Sequence, residues 1–395
     1  MNRCSSYATN SSLCAFHLNR VNNSVKYGVQ VRKMCASCEE ETKHPGFINK
    51  DSHGLGYCDE TAYGYDAKTS GLVVIPTNDE GDILPGALQA STWSHVTIAG
   101  NCDIPSGTFN FGKVSVDAIT TLLMGSSGSV AISSDTIGFG NTYDYFKGYL
   151  VKKQYQTSFI PLWLKTKRTI AQETDCASEL GNGLFIGGFS EGGYAAFAVA
   201  EAAESAGIDV RYVHSSAGPY LLSSALLTSG YLGMANGEFP AGRRHYTIQL
   251  AQSYSSTYEG LENYGFGQDL LADSWNVTGI QYTKSDAIGI TTTNLYDAGR
   301  LNDIVPSPTS INTLDVWNPK AVRFVTDALS NGSYRACDNV AGSVSAEVDK
   351  LCDAFVANDL EAYINSIGAK YRYELCYSSE DEVVVSNRFS LIHFS

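Results

Sequence analysis

Between residues 60 and 220 short apolar runs alternate with longer stretches of helical spacing. The run at 71–76, Gly-Leu-Val-Val-Ile-Pro, reads as a strand closed by its proline. Strand-like runs follow at 94–99, leading into Gly100-Asn101, and at 130–133, leading into the glycine-containing loop Ser134 to Gly140. Residues 158–179 carry helix-like spacing, with Leu162, Lys165, Thr169 and Ala171 on the pattern. The run at 184–188 is a further strand, 192–206 an alanine-rich helix closed by Gly207, and 210–214 another strand. Earlier, 25–31 is the one strand-like run in an otherwise irregular start. Strands alternating with helices predict an α/β fold, with a mostly parallel central sheet flanked by helices.

The rhythm breaks after residue 220. Helical stretches rich in Tyr, Ser and Thr occupy 221–365, and strand pattern returns at 372–377. Three regions are therefore expected: an irregular segment over 1–55, a core over 56–220 and 366–395, and a largely helical cap insertion over 221–365. No period of about 20–50 residues repeats, which argues against a solenoid or propeller.

Chemistry concentrates where the 184–188 strand meets its helix, at Gly188-Phe189-Ser190-Glu191-Gly192-Gly193. A strand–Gly-x-Ser-x-Gly–helix sequence is the context of a nucleophile elbow. A serine hydroxyl is a weak nucleophile, so it must stand on a tight turn within reach of a base. Glycines two residues to either side let strand and helix backbones approach without a Cβ clash. The Glu191 N–H, at the helix start, is then placed to face a developing oxyanion.

Composition narrows the rest. The net charge of −14, with no basic block, argues against nucleic acid or an anionic membrane surface as the main partner. No stretch approaches the ~18 apolar residues of a transmembrane span. Ten cysteines and the sequons at Asn10, Asn22, Asn276 and Asn331 point to an oxidising, secretory setting, although residues 1–20 show no signal-peptide pattern. Cys337 and Cys352 are candidates for a local disulfide; Cys35-x-x-Cys38 lacks the further ligands of a zinc site and the βαβ context of a redox motif. No metal or organic cofactor is implied.

The elbow, the Ser-Ala-Gly-Pro-Tyr after the next strand, the long insertion, Ala357-Asn358-Asp359-Leu360 and Ser378-Ser379-Glu380-Asp381-Glu382-Val383-Val384 together resemble α/β-hydrolases of the secretory-lipase type, over roughly residues 60–387. The resemblance implies acyl transfer from a lipid or small-molecule ester by a Ser…Asp…His triad in that chain order. Ser190 matches the nucleophile and Asp381 the acid, with Glu380 as the fallback. The oxyanion hole would join the Glu191 N–H to a backbone donor at Gly100 or Asn101, where the family pattern has a His-Gly-Thr type of sequence. A prolyl-oligopeptidase-like peptidase and a non-catalytic binding protein are the alternatives.

The base is the difficulty. Of the histidines at 17, 44, 53, 95, 214, 245 and 393, only His393 follows Asp381, and by twelve residues. A helix of ~8 residues, a strand of ~5 and two loops need more than that. The C-terminal end of the core is therefore expected to be incomplete, or the protein to be catalytically silent. His214, at a strand end beside the elbow, is a second candidate, and His95 reads as structural.

Overall fold

The computed structural model describes residues 16–17, 28–36, 67–98, 100–101, 103–107, 114–143, 145, 147–226, 249–250, 253–254, 257–258, 274–277, 280–283, 337 and 346–377. Two compact units emerge. The first comprises Met1–Tyr145, Lys152–Ser216 and Ala369–Leu375; the second comprises Phe146–Val151, Ala217–Gly368 and Cys376–Ser395.

In chain order, the sheet of the first unit begins with β1 (Phe16–His17), β2 (Gly28–Ala36), β3 (Thr69–Thr77) and β4 (Gly86–Ser94). Helix α1 (Val116–Ser126) leads to β5 (Val130–Ser134), and α2 (Lys152–Glu173) leads to β6 (Ser178–Phe189). Then come α3 (Glu191–Ser205) and β7 (Asp209–Ser216). In the second unit lie β8 (Ser274–Val277), β9 (Ile280–Thr283), α4 (Ala346–Asn358) and α5 (Glu361–Ile367); β10 (Arg372–Cys376) closes the description.

The large sheet has eight strands in the order β1-β2-β3-β5-β4-β6-β7-β10. Its first three ladders, through β5, are antiparallel, whereas β5, β4, β6 and β7 pair in parallel. Residues such as Val73, Val74, Ile75, Ala131, Ile132 and Leu184 are fully buried, as expected of strands covered on both faces. The path from β4 to β5 runs one way across the sheet, and that from β5 to β6 runs back past β4. Right-handed crossovers then put α1 on one face and α2 with α3 on the other. In such a sheet the crevice outside the carboxyl ends, where the crossover direction reverses, is the natural ligand site.

Several element ends differ from the sequence pattern: the helix read over 158–179 is α2 at Lys152–Glu173, the run at 25–31 is β2 at Gly28–Ala36, and that at 184–188 belongs to the longer β6. Pro76 does not close β3, which continues to Thr77. The ladder to β5 stops at Val74, and the Pro76 carbonyl accepts the Leu84 N–H, so the missing proline N–H falls beyond that ladder. Of the strand expected over 94–99, Ser94 ends β4, 95–98 form a loop, and Ala99 lies outside the described residues. The alternating apolar residues there serve another purpose: Val96 and Ile98 pack with Ile104 and Phe139.

The second unit contains the expected disulfide between Cys337 and Cys352, with Cα atoms 5.3 Å apart. Asp359, just after α4, receives the backbone N–H groups of Leu222 (2.5 Å) and Ser223 (3.0 Å) and the Ser223 hydroxyl. Burial pushes its carboxyl up to about 6, against the opposing pull of those hydrogen bonds. Tyr254 hydrogen-bonds the Leu150 carbonyl at 3.0 Å and packs on Phe355.

Candidate active site

Ser190 sits between β6 and α3 with φ 58° and ψ −121°. A non-glycine residue there is strained by about 1–3 kcal/mol, so the surroundings must hold it. They do so through the backbone. The Ser190 N–H donates to the Ser216 carbonyl of β7 at 2.8 Å, and the Ser190 carbonyl accepts from Gly193 (2.9 Å) and Tyr194 (3.2 Å).

The two flanking glycines are needed for closeness rather than for an unusual φ. A Cβ on Gly188 would overlap the Gly192 carbonyl. One on Gly192 would overlap the Ser94 carbonyl oxygen and stand 2.7 Å from that of His95. Strand β6, helix α3 and the end of β4 are thus packed backbone to backbone around the serine. Registers Ser94↔Gly188 and Phe189↔Ser216 bring the carboxyl ends of β4, β6 and β7 level at this point.

Glu191 opens α3, so its amide stands at the positive end of the helix dipole. Its side chain points inward: the residue is 1% exposed and its carboxylate accepts the Tyr155 hydroxyl at 2.7 Å. A small cavity with room for about one water molecule lies nearby, lined by Trp93, His95, Thr136, Tyr155, Phe159 and Ala195 among others.

The loop after β4 begins at His95, five residues earlier than the sequence pattern suggests. The Val96 N–H of this loop donates to buried Asp117 of α1 at 3.3 Å, and Asp117 also accepts Trp93 Nε1–H at 2.8 Å. Gly100 and Asn101 come further along the loop. The Asn101 side chain accepts the Gly140 N–H at 2.8 Å, so it ties this loop to the one after β5.

The histidines divide cleanly. His95 is buried, bonded at Nδ1 to the Val96 carbonyl (2.7 Å) and at Nε2 to Thr136 Oγ1 (3.0 Å). A carbonyl only accepts, so Nδ1 donates to it. His214, on β7, hydrogen-bonds Ser216 Oγ at 3.2 Å and lies 3.6 Å from Glu374 of β10. Glu374 is held below the usual carboxylate range by a hydrogen bond from Tyr212 and by nearby Arg372. Asp381, its neighbour Glu380 and His393 lie outside the described residues, as does Cys38. Cys35 is on β2, where its sulfur accepts Asn141 Nδ2 at 2.8 Å and burial raises its thiol. Among the described residues no group of His, Cys, Asp or Glu could hold a metal ion, and no helix is long and apolar enough to cross a membrane.

Sequence reasoning overlooked buried Asp135 and Thr136, which bind both loops. Their one signal was position, just past the strand at 130–133.

Neither a family model nor a curated protein matches the sequence. Solved structures do. The rice cell wall degrading esterase LipA from Xanthomonas oryzae is similar at a TM-score of 0.60 and 19% identity, over 92% of this chain and 78% of that one. A Legionella pneumophila protein is similar at 0.57 and 15%, over 93% and 89% respectively. Candida antarctica lipase A follows at 0.50 and 11%, over 92% and 68%. The fold is that of the α/β-hydrolases. In this fold Ser190 stands on the turn between the parallel strand β6 and helix α3.

Proposed function

We propose that this protein is a serine hydrolase of carboxylic esters that forms an acyl-enzyme on Ser190. The observation that carries this reading is the conformation of Ser190, a positive-φ serine flanked by two glycines, Gly188 and Gly192, whose places leave no room for a Cβ. Such strain persists where it has a use, and lifting a hydroxyl out of the sheet end is that use.

In this reading a base removes the Ser190 proton as Oγ attacks the ester carbonyl. The tetrahedral oxyanion is met by the Glu191 N–H and by a backbone donor of the loop after β4, at Gly100 or Asn101. The alcohol leaves with the proton, and water releases the acid in a second, equivalent cycle. Asp381 and His393 keep the acid and base order of the resembled family, across a separation of twelve residues that is shorter than the helix and strand that family places there. The similar esterase and lipase support the substrate class, and the Cys337–Cys352 disulfide supports an extracellular setting.

The test is hydrolysis of p-nitrophenyl esters of increasing acyl length beside a prolyl amide, by the chain and by Ser190→Ala, His393→Ala and His214→Ala. Ester turnover lost in Ser190→Ala and His393→Ala but kept in His214→Ala supports the reading. Turnover of the prolyl amide alone favours a peptidase, and none at all favours a binding protein on a hydrolase fold.

A further inference from the structure

The carboxyl of Asp135 is fully buried just past β5, with hydrogen-bond partners on two separate segments. Its Oδ2 accepts the hydroxyls of Ser70 on β3 and Ser106 on the loop after β4, each at 2.6 Å. Its Oδ1 accepts the Ser106 N–H at 2.9 Å, and its own N–H donates to the Ser70 carbonyl at 2.8 Å. Ser70 Oγ also accepts the Asn141 N–H at 3.2 Å, beside the Gly140–Asn101 bond. One carboxyl therefore fastens two loops to the sheet.

The next residue reaches the elbow itself. Thr136 has φ 64°, an uncommon conformation for a β-branched residue, and its N–H is bonded to Ser134 Oγ at 3.1 Å. In this conformation its hydroxyl meets His95 Nε2, while Nδ1–H of the same ring clasps the Val96 carbonyl. The carbonyl of His95, beside that of Ser94, packs against Gly192. A continuous buried chain thus runs from Asp135 and Thr136 through His95 to the turn that carries Ser190. Apolar packing of Ile98, Ile104 and Phe139 holds the same loop but sets no direction for its amides.

We propose that Asp135 and Thr136 form a brace that positions the 95–107 backbone beside the nucleophile, with Asp135 as its positioning residue. The brace rests on the reading of Ser190 as nucleophile for its function, though not for its existence. Hydrogen bonds fix amide directions far better than apolar contact does, and an oxyanion donor misplaced by about 1 Å loses about a hundredfold in rate.

Two readouts separate positioning from mere stability. Hydrogen exchange by mass spectrometry follows residues 95–107 and, as internal reference, α3. Phosphonylation of Ser190 by a fluorophosphonate gives a limiting rate and a half-saturating probe concentration. In Asp135→Ala the loop amides exchange about tenfold faster with α3 unchanged. The limiting rate falls about tenfold while half-saturation stays within about twofold. Asp135→Asn keeps an acceptor for the Ser106 N–H and recovers most of both losses. Should Asp135→Ala fail to fold, Ser106→Ala, which removes one donor, gives the same pattern at smaller amplitude. Exchange that is unchanged, exchange that rises equally in α3, or labelling equal to the parent would each overturn the brace. A parent chain that does not label contradicts the hydrolase reading instead, and the exchange comparison then decides the brace alone.

Discussion

Gly192 is seated on the carbonyl of His95 so closely that a Cβ there would stand 2.7 Å from the oxygen and overlap that of Ser94 as well. Both neighbours are backbone, so neither can swing aside. Gly192→Ala should therefore destabilise by about 3 kcal/mol, at the upper end for overpacking. Gly207 is the control: its φ is 73° but nothing lies within 4 Å of its Cβ position, so Gly207→Ala should lose only about 1 kcal/mol. Denaturant unfolding of the two variants checks the contrast.

Ser190 is strained, and relief of that strain is measurable. Ser190→Gly should be more stable than Ser190→Ala by about 1 kcal/mol, since only glycine reaches φ 58° freely. Thermal unfolding of the pair reports it. Equal stability would mean that the elbow relaxes when the hydroxyl is removed.

The Tyr155 hydroxyl donates to the buried Glu191 carboxylate. Tyr155→Phe should destabilise by about 2 kcal/mol, because it removes a donor from a buried acceptor. In a double-mutant cycle with Glu191→Gln the two changes should couple by at least about 1 kcal/mol. Additive losses would remove this pair from the account of the elbow.

How much of this was legible in the sequence follows from the range of each interaction. The Gly-x-Ser-x-Gly turn is local: its two glycines lie within five residues, and the structure shows the close backbone approach expected at both. The end of β4 was not legible, because His95-Val96-Thr97-Ile98 alternates like a strand. Its apolar side chains instead meet Ile104 and Phe139 in a loop. Asp135 was less visible still, since Ser70 lies 65 residues before it and Ser106 lies 29 before it. A single carboxyl at a strand end has no periodicity to betray such partners.

Asp359 gives a pH dependence of definite sign. Its carboxyl is raised from 3.8 to about 6, so the fold favours the protonated form. The stabilisation it contributes is complete below about 3.8 and is lost as pH rises through about 6, for a total on the order of 3 kcal/mol. Asp359→Asn keeps the acceptor for the Leu222 and Ser223 amides and should flatten the stability profile between pH 4 and 6. Urea unfolding across that range, compared between the two chains, shows whether the slope belongs to this residue.

The central claim is that Ser190 is an activated nucleophile. Intact-mass and peptide mapping after fluorophosphonate treatment test it directly. One adduct per chain, on the peptide containing Ser190 and absent from Ser190→Ala, is the predicted result. An unmodified parent chain, or equal labelling of Ser190→Ala, would contradict it.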